Sequence, residues 1–134
     1  MNLIESFELN TISSNKDAGK IVAIENHEAI PFDIKRVYFI YGNKSGKPRG
    51  LHAHRKHYQI ALCIQGSCKM VCDDINTKEE ILLDKPNLAV KLPPMIWHEM
   101  HDFSHDCILL VIASDTYEEA DYIRDYAEFK RLRS

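Results

Sequence analysis

Two histidines one residue apart, His52 and His54, stand inside the run 46–66, GKPRGLHAHRKHYQIALCIQG. In an extended strand alternate side chains share a face, so both imidazoles leave on the same side. Imidazole changes charge near neutral pH and therefore suits proton transfer. A later apolar run ends in Trp97-His98 and could deliver a third imidazole to the same pocket. Gln59 lies five residues beyond His54, which reverses its parity unless the strand bends or bulges between them. Arg49, on the approach to the pair, and Arg36, beside Tyr38, are guanidinium groups suited to a bidentate grip on a diphosphate; the bland alternative for each is a surface salt bridge. Trp97 either stacks on a base or sugar ring or packs in a barrel mouth. His27, His57 and His105 lie in polar surroundings and are expected at the surface.

The elements that must carry these residues are short strands. The segment 34–41, IKRVYFIY, is rich in β-branched and aromatic residues, with Arg36 and Tyr38 on one face and Lys35, Val37, Phe39 and Tyr41 on the other. Further strands are expected at 21–25, through the histidine pair, and at 59–64, 68–72, 79–83, 88–92 and 107–113. Turn signals such as Gln65-Gly66-Ser67 and Pro93-Pro94 separate them. Many short strands at close spacing point to an all-β barrel or sandwich. The tail 115–131 is more charged, and Tyr122, Ile123, Tyr126 and Phe129 recur at roughly helical spacing, so it is expected to be helical.

The totals agree with one domain, 1–134, able to bury its own core. Hydrophobic residues make up 45% and the net charge is −3, which argues against binding along a nucleic-acid backbone. No basic start leads into an apolar core and no apolar run nears the length of a membrane span, so a cytoplasmic protein is expected. Cys63, Cys68, Cys72 and Cys107 sit in or beside apolar runs without a C-x-x-C pair, and read as small buried hydrophobes in a reducing compartment.

The histidine run resembles the first motif of the cupin family, G-x5-H-x-H-x4-E-x6-G. Gly46, His52, His54 and Gly66 match, and Gln59 stands where Glu is usual. In the second motif, G-x5-P-x-G-x2-H-x3-N, Pro93 and His98 match, while Asn87, Met95 and Asp102 replace Gly, Gly and Asn. The resemblance implies a cupin (jelly-roll-like) antiparallel β-barrel with a short C-terminal helical segment. His52, His54 and His98 could serve as three metal ligands, enough for a catalytic zinc-type site. The neutral Gln59 in place of a carboxylate and the cations Arg36 and Arg49 weigh against a divalent ion.

Four segments together resemble a narrower group: IPFDIKRVYFIYG, PRGLHAHRKHYQIALCIQGS, WHEMHDFS and LVIASDTYEEADYIRDYAEFK. They are similar to the sugar 3,4-ketoisomerases that act on dTDP-4-oxo-6-deoxyglucose, over about 21–129. Phe39, where a second Tyr is common, and the run 88–94, where Gly is frequent, depart from the group. The resemblance implies a metal- and cofactor-free enzyme, a dTDP-linked keto sugar as substrate, and a homodimer whose N-terminal strands are exchanged. It implies a place in making 3-amino-3,6-dideoxy sugars for bacterial surface glycans. It further implies His52 and His54 as catalytic residues, with Tyr38, Arg36, Arg49, Gln59, Trp97, His98 and His101 around the substrate.

In that reaction the 4-keto group acidifies the hydrogen at C3. A base removes it, an enediolate spans C3 and C4, and protonation at C4 completes the move. His54 is expected to shuttle the proton with His52 as partner, and Tyr38, the other imidazole of the pair or His98 to donate to the enediolate oxygen. For a galacto product one imidazole serves both carbons on one face; a gluco product needs a second donor or water. Two other readings remain open from the residues: a metal-dependent cupin enzyme, and a non-catalytic nucleotide-sugar-binding cupin. A 3,5-epimerase on the same substrate is a closer variant.

Overall fold

The structure, a computed structural model, describes residues 3–13, 17–27, 29–44 and 46–134. Twelve strands are formed among them: β1 (Ser6–Glu8), β2 (Thr11–Ile12), β3 (Ile21–Val22), β4 (Arg36–Tyr41), β5 (Arg49–His54), β6 (Gln59–Gln65), β7 (Cys68–Asp73), β8 (Lys78–Leu83), β9 (Leu88–Leu92), β10 (Trp97–His101), β11 (Ile108–Ala113) and β12 (Tyr122–Ile123). One helix, α1 (Tyr126–Arg133), follows.

Two five-stranded antiparallel sheets face each other, ordered β1-β9-β6-β11-β4 and β12-β5-β10-β7-β8; β2 and β3 form a small hairpin apart from them. Inward side chains of both sheets meet in one core that includes Ala61, Cys63, Met70, Leu83, Val90, Met100, Leu109 and Val111. The runs in β6 and β11 are apolar on both faces because a second cluster covers them from outside. There Ile60, Leu62, Ala89 and Ile112 pack under Leu9 and Ile30 of the N-terminal segment. β4 keeps the expected alternation, with Arg36 and Tyr38 half-buried and Val37, Phe39 and Tyr41 exposed.

The β6–β7 turn carries the chain from one sheet to the other and depends on Gly66. Its φ is +69°, and a Cβ there would lie 2.2 Å from Ser104 Oγ and 2.8 Å from Cys107 Cα. No L side chain fits without moving that wall.

The tail differs from the helical expectation for 115–131. Only Tyr126–Arg133 is α-helical, after a 3₁₀ turn at Glu119–Asp121 and the strand β12. The Asp125 carboxylate caps α1 by accepting from the Ala127 amide. The apolar positions do not follow one helical stripe: Ile123 and Phe129 reach the same cluster, with Ala53 and Trp97, from two different elements. β12 lies antiparallel to β5, pairing Tyr122 with His54 and Ile123 with Ala53, which brings the tail to the histidines.

Candidate active site

β5 aims its histidines through a bulge. Its ladder with β10 pairs His98 with His52 but Glu99 with Gly50, so Leu51 is an extra residue. Gly50 and Leu51 both take left-handed backbone, φ 81° and 58°. Gly50 is required there also by close packing, since a Cβ would meet Met100 Sδ at 2.9 Å and the His98 carbonyl oxygen at 3.0 Å. Beyond the bulge His52, Ala53 and His54 are buried. Gln59 is not on this strand: the turn at 55–58 carries it to β6 of the facing sheet, which resolves its parity.

His52 and His54 meet edge to face, with Nε2 to Nε2 at 3.2 Å. His52 Nδ1 lies 2.9 Å from the Gly50 carbonyl, and His54 Nδ1 lies 3.0 Å from Asp121 Oδ2. Both partners only accept, so each Nδ1 donates its hydrogen. Two Nε2 lone pairs then confront each other across 3.2 Å, a place where one proton can be received and shared. His98 stands against both rings, 4.5 Å from His52 and 5.9 Å from His54 between centroids. Its buried Nδ1 has no hydrogen-bond partner among the described residues.

Burial pushes His52 down to about 4, opposed in part by the Gly50 carbonyl. Burial also lowers His54, against the pull of Asp121, and takes His98 well below the ordinary imidazole value. All three are therefore neutral near pH 7, the form in which an imidazole acts as a base. Burial would raise the Asp121 carboxyl, but hydrogen bonds from the Lys56 amide, the His54 ring and the His57 amide outweigh it and hold the group below its ordinary value.

His52 and His98 line a cavity of about 480 Å³, and His54 stands directly behind them against His52. Across the cavity stands Tyr38, whose phenol is raised by burial and so stays protonated. Gln59 Nε2 donates to the Tyr38 oxygen at 3.3 Å. That leaves the phenol hydrogen uncommitted by Gln59, whereas a carboxylate at 59 would accept it. Arg36, Arg49 and Arg124 line the same cavity. The Arg36 guanidinium lies over the Tyr38 ring at 4.3 Å, and that of Arg124 over Tyr122 at 4.2 Å. Tyr122 in turn covers His52 and His54 at 4.8 and 4.5 Å. Glu119 holds Arg124 through two bonds of 2.9 Å and accepts from the Tyr117 hydroxyl.

His52, His98, Tyr38, Gln59, Arg36 and Arg49 thus come together around one cavity, and His54 joins them through its contact with His52. Trp97 and His101 do not. β10 alternates, so His98 and Met100 point inward while Trp97, Glu99 and His101 leave on the opposite face. There Trp97 packs on Tyr126 and Phe129 of α1, and its Nε1 donates to Glu99, which also contacts His101 at 2.8 Å. His57 is a further correction: it is 3% exposed, stacked on His54 at 5.7 Å and 3.4 Å from Asp121. Asp121, Tyr122 and Arg124 escaped the sequence reading because a helical tail hides them. A Tyr-Ile pair between acidic and basic residues was the available strand signal.

The nitrogens of His52, His54 and His98 lie within 4.8 Å of one another, close enough to hold a metal ion. The other cavity groups fit such an ion poorly: Gln59 is neutral, and three guanidinium groups raise the positive potential where it would sit.

Three comparisons bear on this site. The family described as FdtA: WxcM-like, C-terminal matches residues 3–134. A TDP-4-oxo-6-deoxy-α-D-glucose-3,4-oxoisomerase of Aneurinibacillus thermoaerophilus is 52% identical over 113 residues, covering 84% of this chain and 81% of that protein. A crystal structure of a 3,4-ketoisomerase from Helicobacter canadensis superposes with a TM-score of 0.92 at 40% identity, over 98% of this chain and 97% of that one. A histidine-to-asparagine mutant of the 3,4-ketoisomerase QdtA from Thermoanaerobacterium thermosaccharolyticum, in complex with TDP-4-keto-6-deoxyglucose, superposes with a TM-score of 0.93 at 34% identity. It covers 99% of this chain and 95% of that one.

Proposed function

We propose, since this chain belongs to the FdtA, WxcM-like family, that it is a sugar 3,4-ketoisomerase converting dTDP-4-oxo-6-deoxyglucose to the 3-oxo isomer. The observation that carries this reading is the His52–His54 contact at 3.2 Å, with Asp121 behind it and the Tyr38 phenol across the cavity.

In the mechanism we infer, His54 Nε2 removes the C3 proton. Its Nδ1–H is already committed to Asp121, so the imidazolium forms beside a carboxylate held ionised by two backbone amides. The His52 lone pair accepts from the new N–H and keeps the proton inside the cavity. Tyr38, turned inward by Gln59, donates to the enediolate oxygen, and such a donor is worth about 10²–10³ in rate. As C3 becomes the carbonyl its hydroxyl proton passes to O4, and the shared proton returns to C4. Acid–base catalysis by a positioned imidazole supplies about 10²–10⁴ more. Arg36, Arg49 and Arg124 are matched to the diphosphate. Redox balance is internal, since one carbon is oxidised as its neighbour is reduced, and the reaction as drawn needs no metal or cofactor.

One cupin domain, working as a homodimer in the cytoplasm, completes the proposal. The exposed face of β4, an edge strand with Val37 at 56%, Phe39 at 59% and Tyr41 at 72%, supports pairing with a second copy. β1 holds its own sheet by only three residue pairs, which supports exchange of that strand between copies. Four free cysteines suit a reducing compartment.

The test mixes protein with dTDP-4-oxo-6-deoxyglucose in heavy water and follows carbons 3, 4 and 5 by NMR. Appearance of the carbonyl at C3 is the expected result. Deuterium at C3 and C5 with the carbonyl still at C4 indicates an epimerase, and an unchanged sugar indicates a binding module. Activity lost to chelators would reject the metal-free mechanism.

A further inference from the structure

Three of the four cysteines form a cluster outside the histidine site. Cys63 Sγ lies 3.5 Å from Cys68 Sγ and 3.6 Å from Cys107 Sγ, and all three sulfurs fall within 4.8 Å of one another. They come from three places: the end of β6, the start of β7, and the residue before β11. The Gly66 turn, which leaves no room for a Cβ beside Cys107, holds them together. Their side chains continue the inward rows of Ala61 on β6 and Met70 on β7, both of which line the cavity. The cluster therefore lies one layer below the cavity floor.

We propose that Cys63, Cys68 and Cys107 form a pyramidal tris-thiolate site for a trivalent thiophilic oxyacid, of which arsenous acid is the simplest. Two of the three sulfur pairs are already in contact and the third lies within 4.8 Å, close to what one small central atom bonded to three sulfurs requires. Charge selects the class of ligand. All three side chains are buried in an apolar layer, where a bound group that leaves net charge is costly. Cys63, Cys68 and Cys107 are 1%, 0% and 5% exposed, and the Asp106 carboxylate adds negative potential beside Cys107. Three thiolates around a cuprous ion would leave two net negative charges in this apolar place, and around zinc one, beside that carboxylate. Arsenous acid avoids this. Three As–O bonds and three S–H bonds break, three As–S bonds form, and the hydroxyls leave as three waters. No redox change occurs and the product is neutral. Cys107, the most accessible of the three, is the point of entry.

The test titrates reduced full-length protein with sodium arsenite. One arsenic per chain is expected to survive gel filtration with the folded protein, and the arsenic K-edge spectrum to show three sulfur neighbours. Thiols titratable in denaturant fall from four to one. The melting temperature rises, because the ligand prefers the folded chain. Cys72, which lies outside the cluster, supplies the control: Cys72→Ala keeps the arsenic, while Cys68→Ala and Cys63→Ala do not. If the core variants fail to fold, the spectrum of the unaltered protein decides alone. Two or fewer sulfur neighbours, a fall in melting temperature, loss of arsenic in Cys72→Ala, or tighter retention of zinc than of arsenite would each overturn the proposal.

Discussion

His54 and Asp121 meet at 3.0 Å although 67 positions separate them, and both are almost wholly buried. The carboxylate comes from the tail, laid beside β5 by β12. It accepts the Nδ1 hydrogen of His54 and thereby leaves Nε2 as a lone pair facing His52. The tautomer of the proposed base is thus set by a residue outside the cavity lining.

Asp121→Asn tests that link. An asparagine keeps the size, and its oxygen can still accept from the Lys56 amide at 2.7 Å. Its NH₂ then faces His54 Nδ1 and favours the tautomer with hydrogen on Nε2, which is no base. A fall in kcat of about 10²-fold or more is expected, with KM changed only a few-fold. Nitrogen NMR of the ring should report the exchanged tautomer; an unchanged tautomer with full activity contradicts the assignment.

His54→Asn should leave folding and dTDP binding intact while removing about 10²–10⁴ in turnover. Circular dichroism and nucleotide titration establish the first part, and the heavy-water NMR assay the second. Retained turnover rejects His54 as the shuttle.

Gln59→Glu converts a donor to Tyr38 into an acceptor from it. The phenol hydrogen is then taken by the carboxylate, and kcat is expected to fall about tenfold to a hundredfold. The same change adds a negative ligand near His52, His54 and His98, so zinc affinity should rise. Calorimetry with zinc measures this; no gain over the parent would mean that the guanidinium groups dominate.

Acid should destabilise the fold in a defined window. His52 has its pKa lowered from 6.5 to about 4 on folding, so between these values the unfolded chain binds more protons than the folded one. Stability from this group is full above about pH 6.5, declines as pH falls, and levels off below about 4, at up to about 1.4 kcal/mol per pH unit. His54 and His98 shift in the same direction. Urea midpoints across pH 4–7 check the slope, which should flatten in His52→Gln. The acid limb of kcat/KM should likewise lie below the ordinary imidazole range.

Gly66→Ala places a methyl group 2.2 Å from Ser104 Oγ in a backbone region that L residues avoid. A loss of about 1–3 kcal/mol is expected from the clash and the strain. Thermal melts measure it, and a neutral result would mean that the 102–107 wall yields.

The residues in hand before folding settled most of the sheet strands, though not β12, and one half of the site. Alternation put Arg36 and Tyr38 on one face and Val37, Phe39 and Tyr41 on the other, and that is a local property of a pleated chain. The His-x-His spacing likewise put two imidazoles together, because a period of two needs no information from elsewhere. What lay beyond it depended on sheet pairing. Trp97 and His98 are neighbours in the chain, yet the pleat sends only His98 inward, and nothing local states which face of β10 is the inside. Asp121, Tyr122 and Arg124 became site residues only when β12 paired with β5, a pairing across 68 to 70 positions decided by Ile123 and Phe129 packing on Ala53 and Trp97. His57 looked solvated beside Arg55 and Lys56, but the same return of the tail buried it against Asp121. Periodicity is written residue by residue, whereas facing and long-range pairing follow from where apolar surface finds cover, and that is a property of the whole fold.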